Sequence, residues 1–151
     1  MSQVVPSQSV ATRPYFRRDR REGISPPDLS KVCTYAEHIV HARGKRTQFT
    51  SISLDLAKIR DFGDTNYRLK REDAEIEGHG VVEHEVLLTE LQRVAKDQQK
   101  AERLRAIQAL RYTRQRREGL VTWKFDISGV ERKDLIDWAR GKIQRFFVTV
   151  S

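Results

Sequence analysis

Thr47-Gln48-Phe49-Thr50-Ser51-Ile52-Ser53-Leu54 is a short run with a strict period of two. Read as a β-strand, it sends Thr50, Ile52 and Leu54 to one side and Phe49, Ser51 and Ser53 to the other. Just upstream, Ser25-Pro26-Pro27-Asp28 reads as a helix start, with Ser25 as cap and Pro26 in the first turn. Leu29, Val32, Cys33, Ala36 and Val40 then fall on one helical face, which predicts a buried Cys33, and Gly44 predicts the helix end. Before that helix, Tyr15-Phe16 and the basic run Arg17-Arg18-Asp19-Arg20-Arg21 predict a strand leading into a turn at Gly23.

Downstream, a helical turn is expected over Asp55–Phe62, a mobile polar loop over Gly63–Gly80 and a strand over Val81–Leu88. Leu91–Arg117 reads as one long basic helix with Val94, Ala101, Leu104, Ile107 and Leu110 as its apolar stripe, broken by Gly119. Leu120–Ile127 reads as a core strand, Val130–Arg140 as a helix ended by Gly141, and Ile143–Val150 as a last strand. The expected fold class is therefore α+β: a small split mixed β-sheet core with flanking helices.

The composition fits this reading. Of 151 residues, 38% are hydrophobic and 33% charged, enough apolar residues for one modest core. Periodic apolar segments exclude a disordered chain, and no apolar run approaches the roughly 20 residues of a membrane helix. Residues 1–12 are polar, lack the apolar core of a secretory signal and read as a flexible leader, leaving a single domain over 13–151. One cysteine cannot form an internal disulfide, and with four scattered histidines it matches no familiar zinc spacing. The net charge of +8 favours partners that carry phosphate or carboxylate.

Three motifs occur in order: Phe16-Arg17-Arg18-Asp19-Arg20-Arg21, His41-Ala42-Arg43-Gly44 followed by the serine strand, and a later glutamate, Glu118 or Glu85. Together they resemble the arginine–serine–glutamate class of ADP-ribosyltransferases, the group of cholera and pertussis toxins. The resemblance covers residues 15–136 and implies an ADP-ribosyltransferase-like fold with NAD as substrate. It implies Glu118, Ser51 and Arg17 as catalytic residues, with Glu85 and Ser53 as the alternatives, and Arg17, His41 and Ser51 as the NAD-binding set. Glu85 carries a Glu-x-Glu spacing with Glu83, whereas Arg116 stands two residues before Glu118, where the class has Glu or Gln. The chemistry suits these residue types. A guanidinium grips a pyrophosphate through two parallel hydrogen bonds, and a carboxylate stabilises the oxocarbenium-like ribose formed when nicotinamide leaves.

By the same resemblance, the chain reads as the C-terminal toxin domain of a bacterial polymorphic (Rhs-type) effector. Such a domain is delivered to the target-cell cytoplasm in interbacterial competition and neutralised by an acidic cognate immunity protein. The basic residues Arg103, Arg111, Arg114, Arg116 and Arg117 point to a phosphate-rich acceptor, with RNA favoured over protein. Two other classes stay open: a non-enzymatic nucleic-acid-binding domain built on helix 91–117, and a nuclease toxin using His41 and His84. Taken singly, the arginine run, the serines and His41 are also what a solvated turn, an edge strand and a helix terminus carry.

Overall fold

In the computed structural model, residues 13–41 and 45–151 are described, so the expected leader 1–12 and the helix stop at Gly44 lie outside the described residues. The chain is α+β, with six strands among the described residues where five are expected. These are β1 (Phe16–Asp19), β2 (Phe49–Ser53), β3 (Thr65–Leu69), β4 (Gly80–Val82), β5 (Glu118–Thr122) and β6 (Phe147–Val150). They form one sheet in the order β4-β5-β2-β1-β3-β6. Every pairing is antiparallel, which corrects the expectation of a mixed sheet. The sheet is weakest in its middle. β1 and β2 share a single register pair, Phe16 with Ser53, whereas β1–β3 and β2–β5 run in register over four and five pairs.

The helices are α1 (Tyr35–His41), α2 (Arg71–Ile76), α3 (His84–Val94), α4 (Lys100–Arg116) and α5 (Leu135–Ile143). Two cores lie on opposite faces of the sheet, as the alternation along β5 requires. Leu120 packs with Ala36, Ile39, Leu87, Leu91, Ala109 and Leu110 from α1, α3 and α4. The next residue, Val121, packs with Tyr15, Ile52, Tyr67, Leu69 and Phe146 on the other side. β2 follows the same rule: Ile52 joins the second core, and Phe49 packs against the helical one.

Several boundaries differ from the sequence reading, each for a local reason. α1 starts at Tyr35, not before Leu29, because Thr34 and Glu37 form a reciprocal capping box (Thr34 N–H to Glu37, Glu37 N–H to Thr34 Oγ1). Asp28 instead closes a turn onto Ser30. Val32 is therefore exposed and Cys33 only half-buried, its backbone held by Gln48. The stretch read as a mobile loop, 63–80, contains β3 and α2, whose Tyr67, Leu69 and Ala74 are core residues. The strand expected over Val81–Leu88 stops at Val82. His84 then opens α3, with Leu87 and Leu91 on its buried face. The long helix is two helices, and its buried stripe is Ala106, Ala109, Leu110 and Thr113, while Leu104 and Ile107 are exposed. β5 ends at Thr122, Gly141 lies inside α5, and β6 begins at Phe147.

Gly119 is not the helix stop; it sits inside β5 opposite Ile52. A Cβ there would lie 2.8 Å from both the Tyr15 ring and the Val82 carbonyl, and Tyr15 is fully buried. Gly119→Ala should therefore destabilise the fold by about 1–3 kcal/mol, the usual cost of overpacking, measured by urea unfolding.

Candidate active site

α4 ends one residue before β5 begins. Arg117 adopts a left-handed conformation (φ 48°, ψ 50°), which stops the helix and turns the chain into the sheet. The turn is pinned from β2: Ser53 Oγ lies 2.5 Å from the Arg116 carbonyl, and Leu54 N–H donates to the Arg117 carbonyl. Glu118 is thereby fixed as the first residue of β5, opposite Ser53 in register and only 2% exposed. Its carbonyl accepts from Nδ1 of the buried His84 (2.9 Å), so α3 also holds this corner.

The Glu118 side chain lies on the same face of the sheet as Ser51, whose hydroxyl donates to Oε2 at 2.9 Å. Oε1 faces the Arg116 guanidinium at 3.6 Å. Arg116 is stacked between two rings, with its Cζ 5.0 Å from the Phe62 centroid and 4.8 Å from that of Tyr112. From β1, Arg17 donates through Nη1 to the Ser51 carbonyl and through Nε to Asp19, both at 2.8 Å. Asp19 in turn accepts from the backbone N–H groups of Arg20 and Ser25. From α1, Nε2 of the buried His38 lies 2.7 Å from Ser51 Oγ, and its Nδ1 bonds Thr47 Oγ1.

A cavity of about 460 Å³ opens over this cluster, with Arg17, Ser51, Phe62, Tyr112, Arg116 and Glu118 in its walls. A second cavity of about 330 Å³ adjoins it, sharing Arg17, Ser25 and Ser51 and adding His38, Lys45 and Arg46. The titration of the site follows from its burial. Desolvation raises the Glu118 pKa above the usual carboxylate range, against the opposing pull of Arg116, the Ser51 hydroxyl and Arg17. Burial, reinforced by Arg17 and Arg116, lowers His38 to about 3, so its ring is neutral. Burial also opposes the charge on Asp19. There the Arg17 guanidinium and two backbone N–H groups prevail, and its pKa falls below the usual range.

Arg17, Ser51 and Glu118 thus meet, although they are 34 and 67 residues apart in sequence. The alternatives lie elsewhere or have other tasks. Glu85 stands in the first turn of α3, not on a strand, with a half-exposed side chain. Arg13 grips both of its oxygens and holds its pKa near 2. Ser53 lines the cavity, but its hydroxyl serves the backbone of Asp55 and Arg116. His41 is the exposed last residue of α1 and lines neither cavity. Ala42, Arg43 and Gly44 of its motif lie outside the described residues. The histidine beside Ser51 is His38, to which the sequence reading gave no role: Ala36 and Val40 pack against the helical core as expected, and His38 stands off that apolar face. The capping box Thr34-x-x-Glu37 marks the start of α1, but the partners of His38, Thr47 and Ser51, come from β2 and the segment before it. On α4, Arg111, Arg114 and Arg117 are exposed, Arg103 donates to the Asp97 carbonyl, and Arg116 alone of the five expected phosphate contacts reaches the cavity.

The neutral His38 makes stability pH-dependent. An unfolded histidine takes up a proton near pH 6.5, roughly its model value, while the folded ring resists protonation down to about 3. Stability is complete above pH 6.5 and falls as pH drops from there towards 3, by at most about 1.4 kcal/mol per pH unit. Glu118, raised in the folded state, works in the opposite sense. The difference between wild type and His38→Gln isolates the histidine, and denaturant titrations at pH 7.5, 6 and 5 should show the shallower decline in the variant.

No family model, curated protein or solved structure matches this chain.

Proposed function

We propose that this domain splits NAD at the nicotinamide–ribose bond and transfers ADP-ribose to a macromolecular acceptor. The observation that supports this most is the convergence of Arg17, Ser51 and Glu118, the three residues implied by the resemblance, on one cavity. The second, cationic cavity on the other side of Arg17 and Ser51 supplies room for the other half of a dinucleotide. Arg17 stands in both walls, where a guanidinium can take the pyrophosphate. The C1′–N bond breaks with its electron pair leaving on nicotinamide. The buried carboxylate of Glu118 holds a ribose hydroxyl and stabilises the positive charge on the sugar. An acceptor nucleophile bonds to C1′ and releases its proton.

Arg116 is the residue that favours one acceptor over another. A guanidinium stacked beside Glu118 repels the guanidinium of a protein arginine and attracts phosphate. Exposed Arg111, Arg114 and Arg117 extend positive charge along the end of α4, which favours RNA as acceptor over protein. The same charge suits an acidic immunity protein covering the cavity, as expected of a delivered bacterial toxin domain.

With labelled NAD and a cell lysate, wild type should consume NAD and leave label in the RNA fraction, falling steeply with added salt. Glu118→Ala should lose roughly 10²–10³-fold or more of this activity while Glu85→Ala keeps most of it. Label confined to a ribonuclease-resistant protein band would move the acceptor to protein. RNA binding without any NAD consumption would leave the non-enzymatic nucleic-acid-binding reading in its place.

A further inference from the structure

The chain of contacts behind Glu118 has a direction that can be derived. Ser51 owns one hydroxyl proton and gives it to Glu118 Oε2. The short contact from Ser51 Oγ to His38 Nε2 (2.7 Å) then needs its proton from the ring, so Nε2 carries N–H. A neutral ring with N–H at Nε2 has a bare Nδ1, and that atom accepts from the Thr47 hydroxyl. The sequence Thr47 to His38 to Ser51 to Glu118 is thus a one-way series of donors ending on a carboxylate. His38 and Thr47 are both buried, at 5% exposure each, and both belong to the wall of the second cavity, away from Glu118.

We propose that His38 is a positioning residue which, through Ser51, holds Glu118 as an oriented carboxylate, and that the Thr47–His38–Ser51–Glu118 series has two proton arrangements selected by the charge on Glu118. When Glu118 is protonated, its O–H donates to Ser51, Ser51 donates to His38 Nε2, and Nδ1–H donates to Thr47. The histidine tautomer therefore reports the charge on Glu118 without the ring becoming a cation. Lys45 and Arg46 line the second cavity beside His38 and Thr47, and two further charged groups, Arg17 from β1 and Arg116 from the end of α4, act on the series itself. Both disfavour a positive imidazole, and both favour the carboxylate form of Glu118. The Phe49 ring of β2 packs against the imidazole in a T-shaped arrangement, with the two ring centroids 5.5 Å apart. His84 of α3 binds the backbone carbonyl of Glu118 and not its carboxylate.

The proposal rests on the transferase reading only for its kinetic part, and the test separates the two. Nitrogen NMR of the wild-type ring should show His38 neutral from pH 8.5 to 5, with N–H at Nε2 at the alkaline end. It should pass to the Nδ1–H form with the same midpoint as the acidic limb of NAD turnover. His38→Phe should lower kcat by about 10–100-fold, the usual cost of removing a group that orients a functional side chain, with KM little changed. Without the polarised Ser51 hydroxyl, the carboxylate loses support, so the acidic limb should move to higher pH. His38→Gln, whose amide can still donate to Ser51, should restore most of the rate and the original limb. A His38 ring that titrates to a cation near pH 6.5, or one that keeps Nδ1–H at pH 8.5, overturns the proposal whether or not NAD is consumed. So does a His38→Phe variant with an unshifted pH profile. Absence of NAD turnover in wild type would sink the transferase reading instead and leave the tautomer measurement to decide the proton arrangement.

Discussion

A carboxylate with 2% of its surface exposed must find its donors inside the protein, and the layout around Glu118 answers that demand. β2 brings the Ser51 hydroxyl, the end of α4 brings the Arg116 guanidinium, and β1 brings Arg17 within electrostatic range. None of these groups could be supplied by residues close to Glu118 in sequence except Arg116. The antiparallel β2–β5 register, with Ser53 opposite Glu118 and Ser51 opposite Leu120, places the serines on the same side as the carboxylate. A slip of one residue would put that hydroxyl on the far face.

The thin contact between β1 and β2 belongs to the same geometry. With Phe16 and Ser53 as their one register pair, the strands leave space between the two halves of the sheet. The Arg17 side chain fills part of that space and bridges it by donating to the Ser51 carbonyl and to Asp19. The two cavities flank this bridge. A fully zipped sheet would satisfy the Ser51 carbonyl with backbone and have no use for an arginine there. The polar site thus lies where the strand pairing of the sheet is thinnest.

Period-two segments were the most legible in sequence. The alternation over 47–54 revealed β2 and its two faces, because side-chain direction in a strand is fixed by parity alone. The order of the arginine, serine and glutamate motifs was enough to single out three residues that meet in space. What sequence concealed depended on partners far along the chain. β3 looks like a polar loop because its polar residues, Thr65, Asn66 and Arg68, outnumber Tyr67 and Leu69, and only pairing with β1 and β6 makes it a strand. α3 was hidden by the apparent alternation Val82, His84, Val86, Leu88, which a buried His84 at a helix start imitates. Leu104 and Ile107 looked like core because their spacing is helical, but α1 and α3 cover the alanine face of α4 instead. His38 was missed because it lies off the apolar face of α1 that Ala36 and Val40 mark, and its partners Thr47 and Ser51 lie outside the helix.

The single-residue junction between α4 and β5 constrains how this chain can vary in length. Arg117 alone reverses direction, so no slack separates the helix that carries Arg116 from the strand that starts with Glu118. Adding or deleting one residue there would either rotate Arg116 by about 100° around the helix or exchange the two faces of β5. Either change separates the guanidinium from the carboxylate and leaves one of them buried without its counter-charge. The turn at residues 95–99, between α3 and α4, carries no such requirement, since its Lys96 and Gln98 to Gln99 bear no part of the cavity. Insertions and deletions in relatives of this chain should accumulate at that turn and be absent from the segment 116–118.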